Sequence, residues 1–146
     1  YSLCFAINAV ALIIGTASAG RFRNIRKGVV TGVAGSFVLS IFTGVTLWLE
    51  MPIIYFEIAL FLTLAFGGIV LPTSTALALD TERQNAGTAS AIFGAISFLA
   101  GGIVSPLVGI GNILHSTAII MVASSAIALL LVCKKRKLLT QPAKGI

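Results

Sequence analysis

Charged side chains are scarce in this sequence. They make up 10% of its 146 residues, with only 4 acidic residues and one histidine. Soluble domains usually carry about 25% charged residues, so the composition excludes a water-exposed globule and leaves no room for a soluble catalytic domain. His115 has no cysteine, aspartate or second histidine at metal-ligand spacing. We therefore predict no enzyme, no metal site and no resident cofactor.

Hydrophobic residues form 58% of the chain, and they are gathered into long runs separated by charged clusters. A helix needs about 20 apolar residues to cross a bilayer, and the runs show no alternation at a period of two, which excludes barrel strands. The sequence therefore predicts an all-α membrane protein with five transmembrane helices. The predicted spans cover residues 3–20, 28–49, 53–79, 86–110 and 116–133, followed by a tail at 134–146.

The basic residues predict the orientation of these spans. The loop around 21–27 has 4 Lys and Arg, the loop around 80–86 has 1, and the tail has 5, which accounts for all 10. Because basic residues collect on the cytoplasmic side, we expect these three segments and the C-terminus inside. The net charge of +6 is then a sign of topology, and no nucleic-acid partner is expected.

Small residues recur at helical spacing in two spans and are predicted to mediate helix packing, because they let backbones approach closely in lipid. This pattern serves any multi-pass bundle, which is the favoured interpretation, or helices that slide during a transport cycle. The predicted packing residues are Gly28, Gly32, Ser36, Ser40 and Gly44 in span two, and Gly87, Gly94, Gly101, Ser105 and Gly109 in span four.

Residues 86–91 (Ala-Gly-Thr-Ala-Ser-Ala), with Gly94 and Gly101-Gly102 beyond them, resemble drug:proton antiporters of the bicyclomycin and chloramphenicol resistance (Bcr/CflA) type, which belong to the major facilitator superfamily. Residues 5–9, Pro72 and residues 76–79 support the resemblance. It covers essentially the whole chain and matches helices eight to twelve of a twelve-helix transporter. It implies a partial C-terminal domain whose N-terminal half is missing from this chain.

The superfamily's cytoplasmic signature would fall on residues 18–27 and keeps Arg23, Arg26 and Lys27. Phe22 stands where the signature has aspartate. We therefore interpret this basic cluster as a positive-inside anchor rather than a gating switch.

Polar residues within the spans are the candidates for a substrate cavity: Asn8, Glu57 and, as a neighbouring aromatic, Phe61. Each has a plainer interpretation. Glu57 lies about 6 Å inside its span, where an interfacial position is favoured over a proton or cation site. For Asn8, an interhelical hydrogen bond is as good an explanation as a place in the cavity wall.

Taken with the resemblance, these features predict part of a proton-driven exporter of drugs or other small molecules. Its partners would be the lipid bilayer, a small-molecule substrate and the absent N-terminal half, and its location the bacterial inner membrane. The proton gradient would supply the coupling ion. The alternative is a self-contained structural or assembly subunit that oligomerises through its Gly/Ser helix faces. An intramembrane enzyme is the third and least supported interpretation.

The predicted topology places Cys4 and Cys133 about 30 Å apart on opposite sides of the membrane, so they should not form a disulfide. A membrane-impermeant thiol reagent applied to sealed cells should leave Cys133 unlabelled until the membrane is opened. Labelling is measured in variants that retain a single cysteine. Reaction of Cys133 with the reagent in sealed cells would show that the predicted topology is inverted.

Overall fold

The computed structural model describes residues 2–81 and 83–140, with side chains described over 2–80 and 84–134. The chain forms five α-helices, with a short 3-10 turn before the fourth. Each helix is long and apolar enough to cross a membrane, and no strand occurs among the described residues. The helices are α1 (Ser2–Ala19), α2 (Ile25–Trp48), α3 (Ile53–Thr81), α4 (Ala86–Val108) and α5 (Ile113–Thr140). The prediction of an all-α, five-span membrane protein is confirmed.

The helices extend past several predicted span ends, most of all in α5 and α2. α5 continues to Thr140, although the apolar run ends at Cys133, and α2 begins at Ile25 rather than Gly28. Lysine and arginine are good helix formers, so a charged residue ends a membrane span without ending its helix. Residues 141–146 of the predicted tail lie outside the described residues. The assignment to a partial C-terminal domain stays a prediction.

α3 lies between α1 and α2, and α5 packs against α2. The fourth helix stands apart, because it makes only sparse contacts with α3 and α5. Along Ala86–Val108, which is described throughout, no residue is buried. The packed part of the chain is therefore a bundle of α1, α3, α2 and α5.

The small residues of α2 lie against its neighbours. A Cβ atom built on Gly32 would lie 2.8 Å from Val70 Cγ2 of α3, and one built on Gly44 would lie 3.1 Å from Val122 Cγ2 of α5. Gly28 faces Thr73 in the same way. Small residues thus hold α2 close to α3 along its first half and to α5 along its second half.

The corresponding residues of α4 face open space. No atom lies within 4 Å of a Cβ built on Gly87, Gly94 or Gly101, and Gly109 meets only the Pro106 carbonyl of its own helix, at 3.5 Å. Ser105 is exposed. The predicted packing role of these α4 residues stays a prediction about contacts beyond the described chain.

The closest helix crossing joins α1 and α3 at two glycines. A Cβ built on Gly68 would lie 2.6 Å from the Leu12 carbonyl oxygen and 3.1 Å from the Cα of Gly15, and a Cβ on Gly15 would collide with the Ala65 carbonyl group. Side chains larger than hydrogen would force the two backbones apart. The adjacent Gly67 has no atom within 4 Å of its Cβ position.

This difference gives a matched pair of substitutions. Gly68→Ala should lower the free energy of unfolding by about 1–3 kcal/mol, because the added methyl group meets backbone atoms that cannot move aside. Gly67→Ala should change it by no more than about 0.5 kcal/mol. Unfolding in mixed micelles by titration with a denaturing detergent, followed by circular dichroism, measures both. Equal effects would contradict the crossing described here.

Candidate functional site

The structure brings together two of the three cavity candidates. Asn8 Nδ2 of α1 donates a hydrogen bond to Glu57 Oε1 of α3 over 3.1 Å. α1 and α3 run in the same direction, because α2, which connects them in sequence, crosses in the opposite direction. At 1.5 Å per residue, Asn8 lies about 9 Å from the start of α1, and Glu57 about 6 Å from the start of α3. Their side chains therefore meet at similar depths.

The Asn8 amide is only half satisfied at this site. Its Oδ1 atom is buried and has no hydrogen-bond partner, one of two such side-chain atoms among the described residues. The ionised carboxylate of Glu57 is itself an acceptor only. The site therefore places an unused hydrogen-bond acceptor beside an acid.

Phe61 lies one turn after Glu57 on α3 and is half-buried. Residues four apart share a helix face, so the aromatic ring and the carboxylate are on the same side of α3. This arrangement offers an acid next to an aromatic ring within one turn of helix.

A hydrogen bond from Thr16 to a backbone carbonyl of α3 joins α1 to α3. Pro72 has no N–H group, which frees the Gly68 carbonyl four residues earlier. Thr16 Oγ1 of α1 donates to that carbonyl oxygen over 3.3 Å. The sequence shows Pro72 within an apolar span, which predicts a free backbone carbonyl four residues earlier. Nothing in the sequence identifies Thr16 as the donor to that carbonyl.

Hydroxyl groups also link α2 to both neighbours. Thr43 Oγ1 and Thr63 Oγ1 lie 3.0 Å apart between α2 and α3, and Ser40 Oγ and Ser125 Oγ lie 2.6 Å apart between α2 and α5. Ser36, one helical turn before Ser40 in the small-residue pattern, has a buried Oγ without a partner. The two hydroxyl pairs join α2 to α3 and to α5 through uncharged groups.

The basic cluster at the other end of the bundle is exposed to solvent. Arg23, Arg26 and Lys27 surround the start of α2. Asn24, which the sequence analysis missed, caps this helix: its Oδ1 accepts from the backbone N–H of Arg26 at 3.0 Å and of Lys27 at 3.4 Å. An asparagine just before a long apolar run is the signal that identifies such a cap.

His115 contacts an aromatic ring at the start of α5. Its ring centroid lies 4.5 Å from that of Trp48, with the planes tilted by 43°, so the pair joins α5 to the end of α2. Among the described residues no group of three metal-ligating side chains occurs. A shallow apolar groove between α2 and α5 shares no lining residue with the Asn8–Glu57 pair.

These features define a multi-pass membrane protein with a half-buried polar pair between α1 and α3. No protein-family profile matches the chain, and no solved structure matches it. The chain is similar to the uncharacterized MFS-type transporter YdgK of Bacillus subtilis (strain 168), with 34% identity over 135 residues. The match covers 82% of this chain but 33% of YdgK, so the chain spans about a third of that relative's length. The similarity is thus to part of a transporter of the major facilitator superfamily (MFS) type.

A double-mutant cycle tests whether Pro72 is the reason that Thr16 bonds the Gly68 carbonyl. Thr16→Val should cost about 0.6–1.7 kcal/mol of stability, the range of interhelical hydrogen bonds in membranes. In a Pro72→Ala background the restored N–H of residue 72 satisfies Gly68, so the same substitution should cost little. Detergent unfolding measures each variant.

Thr117→Val is the control for this cycle, because Thr117 Oγ1 bonds only the Ile113 carbonyl of its own helix at 2.6 Å. Its effect should add independently to that of Pro72→Ala. If Thr16→Val lowers the free energy of unfolding equally with proline or alanine at residue 72, the proposed link between Pro72 and the Thr16 hydrogen bond is wrong.

Proposed function

We propose that this chain is the C-terminal part of a proton-driven secondary transporter that exports drugs or other small molecules by alternating access. The observation that carries the proposal is the similarity over 82% of the chain to an MFS-type transporter. Five membrane-length helices and a polar pair inside them are what such a role requires. The Bcr/CflA subfamily is part of this proposal and comes from the residues at 86–91.

The substrate cavity would be lined on this side by Asn8, Glu57 and Phe61. Transporters of this kind bind substrate between two repeats of the fold, and discontinuous or polar positions on the inner helices supply the contacts. A carboxylate next to an aromatic ring attracts organic cations, since the ring face adds a cation–π interaction to the charge. We therefore propose lipophilic cations as one class of exported compound.

The proposed orientation has the C-terminus in the cytoplasm of a bacterial cell, with the Asn8–Glu57 pair toward the exterior. It is supported by the distribution of Lys and Arg. In this orientation the exposed cluster of Arg23, Arg26 and Lys27 lies at the cytoplasmic surface. The chain corresponds to a third of its relative, and the other wall of the cavity would come from an N-terminal half.

The alternative, a structural subunit that oligomerises through span two, has less support. Gly32, Ser40 and Gly44 are buried within the chain against α3 and α5, so this face of α2 is already occupied. A partner would have to bind elsewhere.

Transport by everted membrane vesicles that contain the complete gene product tests the proposal. A proton gradient should drive uptake of a lipophilic cationic dye such as ethidium. Phe61→Ala should raise the KM by roughly 2- to 30-fold, because a cation–π contact contributes about 0.5–2 kcal/mol.

Phe42→Ala is the matched control, because Phe42 is 54% exposed on α2 and lies outside the proposed cavity. It should leave the KM unchanged. Uptake equal to that of vesicles without the protein, or insensitivity to the proton gradient, would contradict the proposed function.

A further inference from the structure

We propose that the seam between α2 and α5, at the end where α2 begins, binds a membrane phospholipid that carries two phosphate groups. The basic loop (residues 21–27) would bind one phosphate, and the basic segment of α5 (residues 134–137) would bind the other. The proposal concerns two clusters at one membrane surface, so it does not depend on the orientation of the chain or on transport.

The register of α2 against α5 places the two clusters at the same surface. Three contacts set this register: the Trp48 ring with the His115 ring, Gly44 with Val122, and Ser40 with Ser125. Each step toward the start of α2 is matched by a step toward the end of α5. The two helices are therefore antiparallel, and the start of α2 lies beside the end of α5.

The basic segment begins level with the first turns of α2. Lys134 lies about 14 Å beyond Ser125 along α5 at 1.5 Å per residue, and α2 begins the same order of distance before Ser40, at Ile25. The next three residues of the sequence are also basic, and α5 continues through them. Packed helices lie about 8–10 Å apart, so the two clusters are separated by roughly one helix diameter.

The basic loop has a defined position against α2. The Phe22 ring lies 3.3 Å from a Cβ built on Gly28, which folds the loop back over the helix. Asn24 Oδ1 accepts from the backbone N–H groups of Arg26 and Lys27. Because Asn24 occupies these N–H groups, the cationic side chains rather than the helix terminus are left to bind an anion.

Cations outnumber acids at this surface. The side chains of Arg23, Arg26, Lys27 and Lys134 are all exposed. The acids at this end of the bundle are Asp80 and Glu82, which belong to the end of α3 and the residue after it, and α3 packs on α2 separately from α5. An anion bound at the seam would supply the missing negative charge.

The depth of the clusters favours a lipid over a soluble anion. Each cluster directly adjoins an apolar span, at Gly28 in α2 and at Cys133 in α5. Lysine and arginine at such positions extend to the headgroup layer, and basic positions between membrane helices bind the headgroup of cardiolipin. Two phosphates joined by a short glycerol bridge let one molecule occupy both clusters, so that its second contact is intramolecular.

Native mass spectrometry of the complete gene product in mild detergent tests the proposal. The protein is titrated with cardiolipin or with twice the concentration of phosphatidylglycerol, which gives equal phosphate. Cardiolipin should bind roughly 10-fold more tightly or better, because its two contacts are linked. Arg26→Gln and Lys134→Gln should each weaken cardiolipin roughly fivefold. Phosphatidylglycerol, which can use either cluster alone, should lose about twofold or less. Single substitutions leave most of the basic residues that orient the chain.

Arg83→Gln is the matched control, because residue 83 belongs to the short 3-10 turn after α3 and not to α2 or α5. It removes the same charge at the same surface, and it should leave the preference for cardiolipin unchanged. Equal weakening by all three substitutions would indicate a diffuse surface potential and overturn the proposal. Cardiolipin that binds no more tightly than phosphatidylglycerol at equal phosphate would overturn it as well.

Competition with inorganic pyrophosphate distinguishes a membrane lipid from a soluble phosphate compound. Pyrophosphate carries two phosphates but no acyl chains, so an equal concentration should not displace cardiolipin. If pyrophosphate displaces cardiolipin at equal concentration, the seam binds soluble phosphate compounds and the assignment to a lipid is wrong.

Discussion

The close crossing of α1 and α3 is the contact on which the rest of this structure depends. Lipid gives apolar helices no hydrophobic reason to associate, so contact has to come from close packing and from polar groups that seek partners. Gly15 and Gly68 provide the packing, since neither position has room for a Cβ. The carbonyl freed by Pro72 provides the polar group, which Thr16 satisfies. Together these contacts fix the register that brings Asn8 to Glu57.

Several hydroxyl groups elsewhere in the bundle are satisfied within their own helix. Thr73 bonds the Ile69 carbonyl of its own helix, and Ser97 bonds that of Phe93. Serine and threonine side chains in helices commonly form such hydrogen bonds to a carbonyl of the preceding turn. Among the described side chains, Asn8 Oδ1 and Ser36 Oγ are the two buried polar atoms without a hydrogen-bond partner.

Helix α4 shows how one sequence pattern leads to different structural outcomes. α2 and α4 both carry glycine and serine at helical spacing, yet Gly32 of α2 lies against α3 while Gly94 and Gly101 of α4 have no neighbour within 4 Å. The spacing predicts that a helix can be approached closely. It does not identify the partner, and the chain covers only a third of its relative. The sequence of α4 thus predicts an interface that the described residues do not form.

The sequence by itself determined the number of helices and their approximate ends, because a 30 Å apolar layer demands long uncharged runs and places the charges between them. It also pointed to Asn8 and Glu57, since polar groups are conspicuous in such runs. Only the tertiary structure decided that these two side chains meet. Their contact depends on the position of α1 along α3, which the close approach of the two backbones at Gly15 and Gly68 sets. Thr16 and Gly68, which meet at this crossing, are 52 residues apart in the sequence. No local sequence pattern encodes a contact over that separation.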